Sequence, residues 1–387
     1  MSVEPFQVHV DDAVLDDLRA RIRATRWPDQ VPGIGWDQGT ELGYLRDLLG
    51  YWAGGFDWRA RERELNRYRH LRVALDGVRI HVVHAKAPGG DGVPLILTHG
   101  WPSAFVELLP LVPLLTEPAA HGIDGPAFDL VIPSLPGYGF SERPARTGVS
   151  YRYTAGLWHR LMRALGYERY GVGGGDFGAG VATLMAMDDP APVLGVHLST
   201  LEIPPYTGPG SRPLTGAERA YLAQNDDWAR RERGYSLIQS TKPQTVGYGL
   251  TDSPAGLAAW IVEKWRSWSD SGGEVEARFS RDFLLTLLTI YWATGTVTSS
   301  MRDYYDNRWH PVGLGPDDVV QAPTGVAVFA AEFVPEGVPP REWAERLYRV
   351  VRWTPMPRGG HFAAAEEPVL LARDIAAFFG GPGGVPR

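Results

Sequence analysis

The chain has 387 residues, of which 44% are hydrophobic and 21% charged, so it can bury a large core. Its formal net charge of -7 and its lack of a long basic run exclude nucleic acid as an expected partner, because phosphate binding needs clustered lysine and arginine. It has no cysteine, which excludes disulfides, thiolate metal sites and a cysteine nucleophile.

The sequence indicates no membrane association. The first residues lack the pattern of a signal peptide, and no apolar run approaches the roughly 20 residues that span a bilayer. We therefore expect a cytoplasmic protein. No group of histidines and acidic residues has metal-ligand spacing, so we predict neither a metal nor a cofactor. For assembly, a homodimer is expected only because two-fold dimers are the commonest oligomers.

The N-terminal segment, residues 1–70, predicts a helical arm. Apolar residues recur at helical spacing within 14–22 and 42–52, and the segment 27–33 between them, with its prolines and glycine, predicts a loop. The period then changes to two. Residues 71–75 and 78–84 flank Asp76-Gly77, a combination that predicts a β-hairpin.

After the hairpin, strands and helices alternate. The pattern predicts strands at 93–98, 128–132, 170–172 and 193–198. It also predicts a helix that Thr154 caps and that runs to Leu165, and a helix from Phe177 to Met187. Such alternation predicts an α/β fold with a mostly parallel sheet and helices on both faces.

The alternation breaks near residue 202 and resumes near residue 325. The later part predicts a helix near 340–348, a strand near 350–354 and a last helix at 366–379. We therefore predict a core formed by residues 71–203 and 312–387, and an inserted lid at 204–311.

One glycine-rich turn stands out: Gly173-Gly174-Gly175-Asp176-Phe177-Gly178 follows a strand and opens a helix. It fits a nucleophile elbow with Asp176 as the nucleophile, where glycines relieve a strained turn and the helix N-terminus stabilises the carboxylate. It also fits a dinucleotide-binding turn, with Glu202 about 24 residues further on. A plain turn capped by Asp176 is the third interpretation. Taken alone, the segment does not decide among them.

Two other segments favour the elbow. His99-Gly100-Trp101-Pro102 ends an earlier strand, and in hydrolases of this layout such a loop donates a main-chain N–H to an oxyanion hole. The donors here would be Trp101 and Phe177. His361 follows the last predicted strand and precedes the last helix, which fits the order nucleophile, acid, histidine. The mid-chain position of the turn and the charge of Asp176, which would repel pyrophosphate, count against a dinucleotide site.

An aspartate nucleophile restricts the chemistry. Attack on an ester carbonyl would give an unproductive anhydride, whereas attack on a saturated carbon gives an ester that water can cleave. The substrate should therefore be an epoxide or an alkyl halide. No G-x-S-x-G segment occurs, so an ordinary serine hydrolase is not expected.

Over nearly its whole length the chain resembles the microsomal-type epoxide hydrolases, including the juvenile-hormone epoxide hydrolases. The resemblance rests on the N-terminal arm and on several motifs: 99–102 (HGWP), 135–141 (LPGYGFS), the Asp176 elbow, 234–235 (GY), 239–245 (QSTKPQT), 299–304 (SSMRDY) and 359–364 (GGHFAA). It implies an α/β-hydrolase fold with an inserted helical lid.

The resemblance also implies roles for further residues. Tyr235 and Tyr304 would donate hydrogen bonds to the epoxide oxygen, with Tyr305 as the alternative to Tyr304. Glu332 would be the acid that orients His361, with Glu336 in reserve. The sequence departs from the family at Ala330, where proline is usual, and at Phe177, where relatives often have tryptophan.

These residues together imply an epoxide hydrolase that makes a vicinal diol through an ester on Asp176. The aromatic-rich lid favours a bulky apolar or aromatic epoxide, such as an intermediate of natural-product synthesis. The main alternative is a haloalkane dehalogenase with the same nucleophile. The lack of an indole N–H at Phe177 counts against it, because such enzymes use one there to hold halide. A non-catalytic relative that acts as a binding module is a further alternative.

Overall fold

A computed structural model describes residues 2–332 and 338–381 of the chain. Its strands form one nine-stranded sheet in the order β1-β2-β3-β5-β4-β6-β7-β8-β9. The strands are β1 (Val3–Phe6), β2 (His70–Leu75), β3 (Val78–Ala85), β4 (Val93–Thr98), β5 (Phe128–Pro133), β6 (Tyr170–Gly174), β7 (Val193–Leu198), β8 (Val320–Phe329) and β9 (Tyr348–Met356).

The helices lie before, between and after these strands. They are α1 (Asp12–Arg23), α2 (Leu42–Gly54), α3 (Trp58–Leu65), α4 (Leu111–Thr116), α5 (Tyr151–Ala164), α6 (Phe177–Asp188), α7 (Gly216–Glu232), α8 (Gly234–Thr241), α9 (Pro243–Asp252), α10 (Pro254–Ser267), α11 (Arg281–Thr294), α12 (Val297–Trp309), α13 (Arg341–Ala344), α14 (Ala363–Glu366) and α15 (Pro368–Gly380). No helix in the described ranges is long and apolar enough to cross a membrane.

The sheet is parallel from β5 to β9 and antiparallel from β1 to β5. The central strand β4 is an apolar run whose last four residues are buried, as expected for a parallel strand covered on both faces. Helices α5 and α6 pack together, as do α4 and α15, and both pairs contact the sheet. The carboxyl ends of β4 and β6 therefore meet at one edge, where α/β folds place their sites.

Strand β1 is absent from the sequence prediction, which had only helices in the arm. It pairs with β2 at the edge of the sheet, has a proline at its third position and is largely exposed. Proline is tolerated on an edge strand, and a short exposed strand has no alternating apolar pattern to detect. The arm also contacts the inserted helices, since the Trp52 indole donates to Thr289 Oγ1 at 2.9 Å.

Three helix predictions were wrong in their bounds. Helix α5 begins at Tyr151 after Ser150, so Thr154 lies inside the helix and does not cap it. The helix predicted near 340–348 is only the short α13, because Tyr348 already begins β9. The last predicted helix is divided into α14 and α15 at Pro368, which cannot donate a main-chain hydrogen bond.

The inserted helices (residues 216–309) are tied to the core by a buried ion pair. Glu218 in α7 accepts from Arg346 Nε and Nη2 at 2.6 and 2.7 Å, and the two side chains are 0% and 3% exposed. The hydrogen bond from Arg346, reinforced by Thr215 and Arg212, lowers the pKa of Glu218 from 4.5 to about 2 despite its burial.

We expect Arg346→Met to destabilise the protein by about 3 kcal/mol at pH 7, since it leaves a buried carboxylate with one cation fewer. Because the folded pKa of Glu218 is depressed, the stabilisation is present above pH 4.5 and is lost as the pH falls towards about 2. The free energy of unfolding of the wild type and of the variant, measured at pH 7 and at pH 3, tests this dependence on pH. Arg341→Met, which removes an exposed pair with Glu345, is the control and should change little. Equal effects of the two substitutions would contradict the prediction.

Candidate active site

Asp176 stands at the turn between β6 and α6 with φ 50° and ψ −132°. Among the described residues, Asp176 and Asp76 are the non-glycine residues with positive φ, a conformation that costs about 1–3 kcal/mol. A hydrogen bond and the close packing of a glycine hold the turn. The Asp176 N–H donates to Thr200 Oγ1 at 2.7 Å, and a side chain at Gly178 would collide with the Thr98 carbonyl. The glycines are therefore required by the approach of β4.

The two carboxylate oxygens of Asp176 have different partners. Oδ1 accepts from the main-chain N–H groups of Trp101 at 2.9 Å and Phe177 at 2.7 Å. Oδ2 lies 3.4 Å from His361 Nε2. A side chain at Gly100 would collide with Asp176. The two N–H groups named from the sequence thus converge on one oxygen, and the other oxygen faces the histidine.

His361 is fixed between two acids. Its Nδ1 lies 3.0 Å from Glu332 Oε1, and both side chains are almost completely buried. Its main-chain N–H donates to the Trp268 carbonyl at 2.9 Å, and the Trp268 ring packs edge-on against the imidazole. Glu332 therefore occupies the position expected of the orienting acid. The reserve residue, Glu336, lies outside the described residues.

The surroundings of His361 favour its charged form. Burial alone lowers the pKa of its imidazole, but Glu332 and Asp176 more than offset that effect and raise the pKa well above 6.5. The two acids beside the ring therefore decide the direction of the pKa shift.

Tyr235 and Tyr304 come from the inserted helices and pack over the turn. The Tyr235 ring stacks on Trp101 at 5.4 Å between centroids with an interplanar angle of 8°. Tyr304 meets Trp101 edge-on at 5.5 Å and Phe177 at 4.7 Å. Burial, with Tyr235 and Asp176 nearby, raises the pKa of Tyr304 well above 10. Both rings thus cover the residues whose N–H groups hold the nucleophile.

Tyr305 differs from its neighbour. Its ring packs against Trp309, whose side chain is 56% exposed, and no ring contact joins Tyr305 to the Asp176 turn among the described residues. The geometry therefore favours Tyr304 over Tyr305 as a residue of the site.

Two charged residues near the site were not named from the sequence. Lys264 Nζ lies 4.6 Å from the centroid of the Tyr235 ring and forms an ion pair with Glu263. Glu107 is buried five residues after Pro102. Neither belongs to a spacing pattern with a chemical meaning, so only the fold brings them to the site.

The geometry does not support the dinucleotide interpretation. Glu202, the residue that would hold a ribose, accepts a hydrogen bond from the Tyr151 hydroxyl at 2.6 Å. Side chains at Gly173 and Gly178 would meet the carbonyls of His197 and Thr98, so these glycines serve strand and helix packing. They do not line a phosphate-binding turn.

Comparison with known proteins gives consistent matches. A family model described as "Epoxide hydrolase N terminus" matches residues 3–108, and one described as "alpha/beta hydrolase fold" matches residues 93–274. Epoxide hydrolase 1 of Sus scrofa is 38% identical over 98% of this chain and 89% of that protein. Juvenile hormone epoxide hydrolase 2 of Ctenocephalides felis is 36% identical over 97% of this chain and 84% of that protein.

A solved structure agrees. The crystal structure of juvenile hormone epoxide hydrolase from the silkworm Bombyx mori matches with a TM-score of 0.87 at 32% identity, covering 97% of this chain and 93% of that one. The predicted α/β-hydrolase fold with a mostly parallel sheet is confirmed.

We expect Asp176→Asn and Glu332→Gln each to lower the pKa of His361, because each removes a negative charge that opposes the effect of burial. Histidine-selective NMR titration measures this, with His361→Gln to assign the signal. Asp374→Asn is the matched control: Asp374 is a buried carboxylate bonded to His197, and its loss should leave the His361 titration unchanged. An unaltered titration in both test variants would contradict the proposed origin of the shift.

Proposed function

The chain belongs to the microsomal-type epoxide hydrolase family and is an epoxide hydrolase, and we propose that it acts through a covalent ester on Asp176. The observation that carries the proposal is the division of the Asp176 carboxylate. One oxygen is held by the Trp101 and Phe177 N–H groups, and the other faces His361. Such a carboxylate is oriented as a nucleophile and has a histidine beside it.

In the proposed first step, a carboxylate oxygen of Asp176 attacks an epoxide carbon and the C–O bond of the ring breaks. The electron pair of that bond goes to the epoxide oxygen. Tyr235 and Tyr304 would hydrogen bond to this oxygen and supply its proton. Their packing over Trp101 and Phe177 supports this role. The same packing supports the proposed lid at residues 204–311 over a core of 71–203 and 312–387. Residues 1–70 remain the proposed arm.

In the second step, water would attack the ester carbon of Asp176 while His361 Nε2 takes its proton. The oxyanion would rest on the Trp101 and Phe177 N–H groups, which already hold one oxygen of the carboxylate. Collapse would break the bond between the Asp176 carbon and the ester oxygen, which came from the Asp176 carboxylate and leaves with the substrate, and would release a vicinal diol. Glu332 would stabilise the imidazolium formed in this step.

The site also suits one class of substrate. Trp101, Trp268, Tyr235 and Tyr304 form a continuous aromatic cluster around the turn. These aromatic side chains beside the turn support the proposal that the substrate is a bulky apolar or aromatic epoxide. Phe177 offers no side-chain N–H to a halide, which counts against haloalkanes.

A single turnover in ¹⁸O-water with excess enzyme tests the ester, with styrene oxide as the probe. We expect the label in the Asp176 peptide and an unlabelled first diol, because the diol oxygen then comes from the carboxylate. His361→Ala should retain label-free ester on Asp176, since hydrolysis loses about 10²–10⁴ in rate without its base. A labelled diol with an unlabelled peptide would mean that water attacks the epoxide directly.

Removing either phenol should slow ester formation. We expect Tyr235→Phe and Tyr304→Phe each to reduce the rate of the first step by about 10²–10³, because a developing alkoxide loses a hydrogen-bond donor. Tyr305→Phe is the matched control: it removes a phenol next in sequence that packs against Trp309, and it should react like the wild type. Rapid-quench measurement of the rate of ester formation in the three variants tests this assignment. A slow Tyr305→Phe with a normal Tyr304→Phe would reverse the assignment.

A further inference from the structure

A small cavity adjoins the nucleophile and the base. Its volume is about 30 Å³, which is enough for a water molecule, and its walls include Asp176, His361, Glu107 and Ser103. A buried site holds water when it is polar and offers two to four hydrogen-bond partners. The four named side chains offer this cavity the hydrogen-bond partners that a water molecule needs, and Asp176 itself is one of them.

Glu107 is an acidic residue that lines this cavity and has no role in the two proposed steps. It lies in the short 3₁₀ turn Phe105–Leu108, which follows the loop that contains Trp101, and the residue is 9% exposed. Within residues 2–332 and 338–381, no arginine or lysine lies within ion-pair distance of it. Burial raises the pKa of its carboxyl group to about 7, and a hydrogen bond from Ser103 only partly offsets this.

Two other buried acids of this fold, Glu366 and Asp374, have clear structural partners. Glu366, another acid buried in the same region, accepts main-chain N–H groups from Asp270, Gly360 and Phe362 at 2.7 to 3.0 Å. Asp374 is held by His197, Thr354 and Arg352. A buried carboxyl group without an arginine or lysine partner costs stability unless it serves a function. The contrast separates Glu107 from the acids that hold the fold together.

We propose that Glu107 is a positioning residue that holds the hydrolytic water between itself and His361 Nε2, facing Asp176. The inference rests on the proposed ester mechanism and adds the residue that orients its second step. Glu107 only accepts or donates a hydrogen bond. The water oxygen forms the new bond to the Asp176 carbon and its proton goes to His361. The bond from that carbon to the ester oxygen breaks, and the proton passes from His361 to this oxygen, which leaves with the diol.

The test is the substitution Glu107→Met, which conserves length and volume but cannot hold water. We expect ester formation to be unchanged and ester hydrolysis to be about 100-fold slower, because a misplaced reactant typically costs that much. Single-turnover rapid quench with styrene oxide separates the two rates. Glu107→Gln, which keeps hydrogen-bonding groups, should recover most of the hydrolysis rate.

Thermal unfolding distinguishes positioning from structure. If Glu107 positions water, Glu107→Met should keep or raise the melting temperature, since it removes a buried carboxyl without a cation. Val106→Ala is the control in the same turn; Val106 lines a surface groove away from the cavity, and this variant should hydrolyse the ester normally. Normal ester hydrolysis in Glu107→Met, or equal slowing of both steps with a lower melting temperature, would overturn the inference. Absence of ¹⁸O from Asp176 in the wild type would instead refute the ester, and the inference with it.

Discussion

The close approach of β4 to the turn after β6 is the contact on which the site depends. The Thr98 carbonyl fills the space that side chains at Gly174 and Gly178 would need. With the strands at this distance, the chain turns sharply into α6, and Asp176 takes a positive φ. This strained turn points the carboxylate at the N–H groups of Trp101 and Phe177, which the same approach brings within reach. Strain in the backbone thus gives the nucleophile its orientation.

Parts of the site that are far apart in sequence then complete it. β8 and β9 extend the parallel sheet, so the residues that follow them, Glu332 and His361, reach the same edge as Asp176. The tyrosines arrive from the inserted helices, which the buried Glu218 pair fixes to the core. In the proposed mechanism, the sheet therefore places the groups that would act on the ester, and the insertion places the tyrosines that would bind the epoxide oxygen.

This division explains what the sequence could predict. The elbow and His361 were found because a strand, a glycine turn and a helix leave a local pattern. Tyr235 and Glu332 were named only through the family resemblance, since nothing local distinguishes a lid tyrosine or a post-strand glutamate. Glu107 was missed for a physical reason: its importance lies in its burial beside a cavity, and burial of one acidic residue is a property of packing across the whole chain. Strand β1 was missed because an exposed edge strand has no apolar period.

The charges of the site suggest why an acid-rich pocket suits a two-step reaction. Asp176 and Glu332 lie on either side of His361 and raise the pKa of its imidazole, which favours the protonated ring over the free base before the ester forms. Ester formation would neutralise Asp176 and move its negative charge to the substrate oxygen. The pKa of His361 would then fall, because burial still disfavours its charge and only Glu332 still supports it. Its proton could neutralise the tyrosine that had protonated the alkoxide, and the free imidazole would face the water. Formation of the ester would thus itself produce the base that destroys it.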